Sequence, residues 1–115
     1  MAAPMIDQVR PSGLAAWLQS QPRPGLVLDV REPEELQIAS ITADGFELLT
    51  IPMNDIPARM AELDPERPVA VLCHRGGRSQ RVAMYLANNG FATVANVAGG
   101  IDAWALERDA SVPRY

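Results

Sequence analysis

At 115 residues the chain accommodates one domain with a real core but not two, and a formal net charge of -4 with a pI near 4.8 argues against nucleic acid or an anionic membrane as the main partner. One cysteine and one histidine exclude an internal disulfide and a Cys/His zinc cage. All ten basic residues are arginine, so no lysine is available for Schiff-base chemistry and every cation is a planar fork suited to oxyanions.

Residues 1–11 read as an extended lead-in with an edge strand around Ile6 to Val9. The opening MAAPMIDQVRPSG has neither a basic n-region nor an apolar h-region, and no apolar run approaches the ~20 residues that span a bilayer. A cytoplasmic protein is expected. Ser12 is placed to cap a helix whose Leu14, Trp17 and Leu18 share one face, with Trp17 in the core, and Gln21 to Gly25 ends it as a loop. Leu26, Val27 and Leu28 make a buried strand. Charge appears abruptly at Asp29 and Arg31, a strand end of the kind where open parallel sheets place their sites. Glu32-Pro-Glu-Glu35 suits a first helical turn, with acids at the positive end of the dipole and Arg31 placed to pair with Glu35. The next stretch reads as a loop, turning at Ala43-Asp-Gly45 and leading to a strand near Leu48 to Ile51 that Pro52 stops. Ile56, Met60 and Leu63 mark a short helix before Asp64 to Pro68.

The apolar run Val69 to Leu72 fits a strand buried on both faces of a parallel sheet, and it delivers Cys73. His74, Arg75, Gly76, Gly77, Arg78 and Ser79 follow, then Val82, Ala83, Leu86 and Ala87 at helical spacing, closed by Asn88, Asn89 and Gly90. A loop at a helix N-terminus aims several N–H groups and the positive dipole end at one small volume, which becomes an anion site. Gly76 and Gly77 are read as taking crowded or left-handed conformations that let the amides turn inward as a nest. A lone cysteine ending a core strand is usually structural, but two glycines and two arginines directly after it favour a functional thiol, held in reach of donors that prefer the thiolate.

Beyond Gly90, Phe91 to Val97 supplies another strand, Ala98-Gly-Gly100 a second glycine turn that can abut the cysteine loop, and Ile101, Ala103, Trp104 and Ala105 a last short helix. Residues 107–115 are read as a polar tail. The alternation of strands and helices over 1–115 predicts a single α/β domain, a mainly parallel sheet with helices on both faces.

LDVREPEE, the strand and loop ending in CHRGGRS, and NVAGGIDAW, in this order, resemble the single-domain rhodanese family of sulfurtransferases. The resemblance spans about Leu28 to Trp104 and implies a five-stranded parallel rhodanese-like fold. It makes Cys73 the sulfur-accepting nucleophile, the amides of His74 to Ser79 the cradle for a persulfide and a bound anion, and Arg78 the residue that closes the loop. Asp29, Arg31 and Glu35 match the family's Asp-x-Arg-x-x-x-Glu, which braces the site, and Gly99, Gly100 and Trp104 match a packing element. Members usually carry Gly-His-Ile-Pro-Gly-Ala after the Asp-x-Arg segment. Here that region reads Ala39-Ser-Ile-Thr-Ala-Asp-Gly-Phe46 and is a few residues longer before Ile51-Pro52, a departure that bears on the rim and on substrate or partner choice.

What the resemblance implies is a cycle in which a small donor such as thiosulfate or a persulfide loads sulfur onto Cys73 and a thiol or protein cysteine removes it, with no metal or organic cofactor. A Cys73–His74 dyad is disfavoured, because adjacent residues in a tight loop point apart, and the imidazole is expected to be exposed. Two rivals stand beside this reading. A cysteine-loop phosphatase or arsenate reductase would share the residue types, but four residues separate Cys73 from Arg78, one fewer than in those enzymes. A non-catalytic interaction module on the same fold is the other.

Overall fold

Short runs ended by turn chemistry, apolar in the three central strands, become β1 (Asp7–Val9), β2 (Leu26–Asp29), β3 (Glu47–Thr50), β4 (Val69–Leu72) and β5 (Val94–Val97) in the computed structural model of the chain, which describes residues 6–115. They pair in parallel throughout, in the order β1-β5-β4-β2-β3. β2, β4 and β5 are buried at every position, while the edge strand β3 is half-buried or exposed. Continuous apolar runs are what a parallel sheet covered on both faces requires.

The helices α1 (Leu14–Gln19), α2 (Pro33–Ile38), α3 (Ile56–Arg59), α4 (Gly77–Asn88) and α5 (Gly100–Glu107) provide that cover. Side chains alternate across the sheet with period two. Leu26, Leu28, Val30, Val69 and Val71 pack on one face against Ile56 of α3 and Val82, Ala83 and Leu86 of α4. Val27, Ala70, Leu72, Ala95 and Val97 pack on the other against Leu14 of α1 and Ile101 and Trp104 of α5. Each such Val, Leu or Ile, fully buried, contributes about 1.5–3 kcal/mol.

The topology sets the site. The chain leaves β2 toward β3 on one side and leaves β4 toward β5 on the other, and β2 and β4 are direct neighbours, with Asp29 opposite Leu72. A crevice opens where the strand order reverses, beyond the carboxyl ends of these two strands. Arg31 and Cys73 stand at that edge.

Several local expectations change. Ser12 does not cap α1: it lies inside a 3₁₀ turn, Pro11–Gly13, and its hydroxyl donates to Glu107 at 3.0 Å, leaving Gly13 as the N-cap. Trp17 is half-buried rather than core, because its indole N–H reaches Asp7 Oδ2 at 2.9 Å. The last strand is shorter than Phe91 to Val97, starting at Val94 after a turn in which Phe91 is buried. Of the lead-in, residues 1–5 lie outside the described residues. The divergent segment packs Ala39 and Ile41 into the α5 face and sets Phe46 edge-on to Trp104 at 6.0 Å. The tail is not a loose polar end, for Val112 is buried and Arg114 pairs with Asp102 at 2.9 Å.

Candidate active site

Cys73 is the first residue past β4, and the alternation of that strand turns it to the face of Val69 and Val71, toward α4. It is 1% exposed. Its Sγ accepts the Gly76 N–H at 3.1 Å and lies 3.2 Å from Ser79 Oγ. Among the amides of His74 to Ser79, that of Gly76 is the one bonded to the sulfur.

The glycines explain how the loop is held. Gly76 is the N-cap of α4 with φ 106°, a conformation L side chains avoid. Gly100, with φ 60°, lies against the Cys73–His74 peptide so closely that a Cβ would sit 2.4 Å from the His74 carbonyl oxygen. The glycine turn does abut the cysteine loop. Two first-turn amides of α5, which have no partner inside their helix, bind the loop carbonyls: Ile101 N–H donates to Cys73 O at 2.9 Å and Asp102 N–H to His74 O at 3.1 Å. These two bonds pin the loop to α5 on one side, while the Gly76 N–H reaches the sulfur on the other. Gly77 differs from its expectation. It is the first residue of α4, its φ is not positive, and the space around it is open.

Arg31 does not pair with the Glu35 carboxylate. Its guanidinium is fully buried and bound to Asp29 through Nε at 3.0 Å and Nη2 at 2.8 Å, and its Nη1 reaches Ala39 O at 2.9 Å and the Tyr115 hydroxyl at 3.1 Å. Glu35 instead accepts both Nη atoms of Arg78, at 2.6 and 2.8 Å, together with the Glu32 N–H at 3.1 Å and the Tyr115 hydroxyl at 2.7 Å. Arg78 thus closes the loop outward, onto α2. Asp29, Arg31, Tyr115, Glu35 and Arg78 form one connected clasp along the rim.

The Arg78 hydrogen bonds hold the Glu35 carboxyl at about 2, from an ordinary 4.5, with the Tyr115 hydroxyl, the Glu32 amide and the Arg78 charge adding to the effect and burial opposing it. The folded carboxyl titrates below the unfolded one, so the clasp's contribution to stability is complete above about 4.5 and is lost as pH falls toward about 2. Thermal melts across that window should therefore show a loss of stability in wild type that is smaller in Glu35→Gln; parallel curves for the two would contradict this role for Glu35.

His74 is the second correction. Its ring is half-buried rather than exposed, stacked on Tyr115 at 3.9 Å with 3° between the planes, and its Nε2 lies 2.6 Å from Tyr115 O. The imidazole is committed to the tail and not to the thiol, against a Cys–His dyad. Arg75 is exposed and makes no ion pair among the described residues. Gly99, at φ 82°, would bring a Cβ within 2.6 Å of the Ala103 Cβ. Trp104 is a buried packing residue, with the Arg108 guanidinium 4.9 Å over its ring.

Two residues of this region have no counterpart in the sequence reading. Tyr115 carries the tail onto the rim; an aromatic ending a polar tail was its signal. Asn96 of β5 is 4% exposed, accepts the Ser79 hydroxyl at 2.5 Å, and donates to Gln8 Oε1 at 3.0 Å and to Gly76 O at 3.3 Å. An amide inside the apolar run Val94 to Val97 was the available clue. A hollow of about 560 Å³ between Leu18, Gly25, Phe46, Glu47 and Arg108 is at the opposite, amino-terminal edge of the sheet and holds no nucleophile. Among the described residues no cluster of His, Cys, Asp and Glu is arranged to hold a metal, and no helix is long and apolar enough to cross a membrane.

Fold and site together define a parallel α/β domain with a cysteine loop at its switch point. The Rhodanese-like domain family model matches residues 11–107. A Sulfurtransferase of Allochromatium vinosum is 39% identical over 80 residues, covering 70% of this chain and 71% of that protein. The Rhodanese-like/PpiC domain-containing protein 12, chloroplastic, of Arabidopsis thaliana is 42% identical over 91 residues, and the chain spans 30% of its length. Among solved structures, a Rhodanese-like Domain Protein from Staphylococcus aureus superposes with a TM-score of 0.74 at 27% identity, covering 96% of this chain and 99% of that one. The chain belongs to the rhodanese-like domain family.

Proposed function

We propose that the protein is a sulfurtransferase that moves a sulfane sulfur from a donor such as thiosulfate to a thiophilic acceptor through a persulfide on Cys73. The carrying observation is the Cys73 Sγ held by the Gly76 N–H at 3.1 Å beside the first turn of α4. The relative from Allochromatium vinosum, a protein named Sulfurtransferase, supports the same class of reaction.

In this cycle the Cys73 proton passes to solvent, and the thiolate attacks the outer sulfur of thiosulfate. A sulfur–sulfur bond to Cys73 forms, and the bond within thiosulfate breaks with its electron pair leaving on sulfite. An acceptor thiolate, or cyanide in an assay, then attacks the terminal sulfur and returns Cys73 as thiolate. The Gly76 amide and the opening turn of α4 favour thiolate, persulfide and departing anion with preorganised donors. Because Cys73 is 1% exposed, the donor reaches it when the rim opens. Thiol or protein-cysteine acceptors and a cytoplasmic setting, where a lone cysteine stays reduced, belong to the same proposal.

The phosphatase or arsenate reductase reading needs the arginine that closes the loop, Arg78, free to clamp a tetrahedral oxyanion, and both its Nη atoms are bound by Glu35. Incubation with thiosulfate should raise the intact mass by one sulfur atom in wild type and not in Cys73→Ser, cyanide should remove it as thiocyanate, and an aryl phosphate should remain intact. Phosphatase activity that depends on Cys73 without persulfide formation would overturn the proposal, and so would a protein inert to every donor, as a non-catalytic module would be.

A further inference from the structure

We propose that Asn96 is a positioning residue that sets the direction of the Ser79 hydroxyl and, through it, withholds the hydroxyl proton from the Cys73 sulfur. The proposal rests on Cys73 being the reacting group, and not on which donor it meets.

The direction of the network follows from what each group can do. Gly76 O only accepts, and it lies 3.3 Å from the Asn96 amide, so the Asn96 NH₂ points to it and to Gln8 Oε1. Asn96 Oδ1 is then the atom that faces Ser79, at 2.5 Å. Gln8, anchored this way, gives its own NH₂ to Gln80 Oε1 at 2.7 Å, which agrees with the same orientation. Ser79 has one proton and gives it to Asn96, so toward Cys73 it offers only lone pairs. At 3.2 Å Ser79 then accepts from the thiol and has no proton left to give the thiolate. Ser79 is 0% exposed and Asn96 4%, and no buried side-chain polar atom among the described residues lacks a partner, so water is not needed to complete the set.

Loss of the thiol proton to solvent changes this balance. The thiolate and Asn96 Oδ1 are then two acceptors for one hydroxyl proton, and Ser79 must turn away from Asn96 to serve the sulfur. The buried amide that has to be abandoned opposes the step. Strand register fixes the geometry: Asn96 lies opposite Val71 of β4 on one side and Gln8 of β1 on the other, on the sheet face that also carries Cys73. The charged and titratable groups of the loop and of the elements packed against it are His74 and Arg75 of the loop, Tyr115 stacked on His74, Arg78 of α4 with its partner Glu35 of α2, and Asp102 of α5 with its partner Arg114. None of them is altered by changing Asn96.

The chain has a single cysteine, so both alkylation by iodoacetamide and the Raman S–H band report Cys73 alone. In Asn96→Val the Ser79 proton is released to the sulfur, and the pH midpoint of alkylation should fall by about one unit, equivalent to about tenfold more thiolate at a pH below the midpoint. Adding Ser79→Ala to that variant should restore the midpoint, whereas Ser79→Ala in wild type should leave it unchanged or lower it. The wild-type S–H band should lie at lower frequency than that of Ser79→Ala, because only the former donates a hydrogen bond. If Asn96→Val does not fold, this spectral pair carries the test. A midpoint raised by Ser79→Ala in wild type, a midpoint unmoved by Asn96→Val, or identical S–H bands would each overturn the proposal. Midpoints that behave as stated in a protein that accepts sulfur from no donor would leave Asn96 in its role and remove the sulfurtransferase reading instead.

Discussion

Gly100→Ala should cost most of the sulfur-transfer activity while the sheet stays folded. The added Cβ would lie 2.4 Å from His74 O, 2.5 Å from His74 C and 2.6 Å from Cys73 O, and φ at this position is 60°. All three neighbours are backbone atoms of the cysteine loop, so no side chain can swing aside to relieve the contact. Either the loop or the start of α5 must move, and both hydrogen bonds that tie them, Ile101 N–H to Cys73 O and Asp102 N–H to His74 O, lengthen together. The loop that carries the Gly76 N–H to the sulfur then shifts. A displacement near 1 Å at a reacting centre costs about 10²-fold in rate, and overpacking of this kind about 1–3 kcal/mol in stability. Gly77→Ala is the matched control, since nothing lies within 4 Å of its Cβ position and its φ is not positive; it should keep activity within about twofold and can gain about 0.4–1 kcal/mol. Sulfur loading by intact mass and urea unfolding of both variants check this. Equal activity in the two would show that Gly100 does not shape the loop.

Arg31→Met should be strongly destabilising. The guanidinium is 0% exposed and Asp29, its partner, 1% exposed, so deleting it leaves a carboxylate stranded in the core with the Arg31 backbone N–H, at 3.1 Å, as its remaining donor in this pair. Removing one partner of a buried ion pair costs about 3–5 kcal/mol, a large share of the roughly 5–15 kcal/mol that holds a domain together. The same change releases Ala39 O and the Tyr115 hydroxyl, so the tail and the end of α2 loosen as well. The double variant Asp29→Leu, Arg31→Met should recover part of the loss, because an apolar pair needs no compensation, but not the contacts to the tail. Denaturant melts of the two singles and the double give the coupling; additive effects would mean that the pair is not the unit described.

These two residues also show how far local pattern carries. Arg31 and Glu35 were legible as site-associated from the sharp onset of charge after a buried strand, yet the carboxylate that Arg31 binds is Asp29, and the arginine that Glu35 binds is Arg78, 43 residues away. Gly76 and Gly77 looked alike as neighbours, but one has φ 106° and the other opens a helix with ordinary geometry. Backbone conformation at a turn depends on what packs beside it, here Gly99, which no adjacent residue encodes.

By itself the sequence determined the alternation of elements and the burial of the central strands: period-two and period-3.6 patterns, glycine and proline punctuation, and one cysteine between a buried run and a helix start. Those are short-range properties, decided by sterics and by transfer of apolar groups from water within a few residues, so a single chain displays them directly. The tertiary structure alone decided the partners. Tyr115 meets Glu35 across 80 residues and Asn96 meets Gln8 across 88, and sheet order and register create both meetings. A hydrogen bond between distant residues leaves no periodicity along the chain, since its strength depends on a distance and an angle that exist only after the strands have paired.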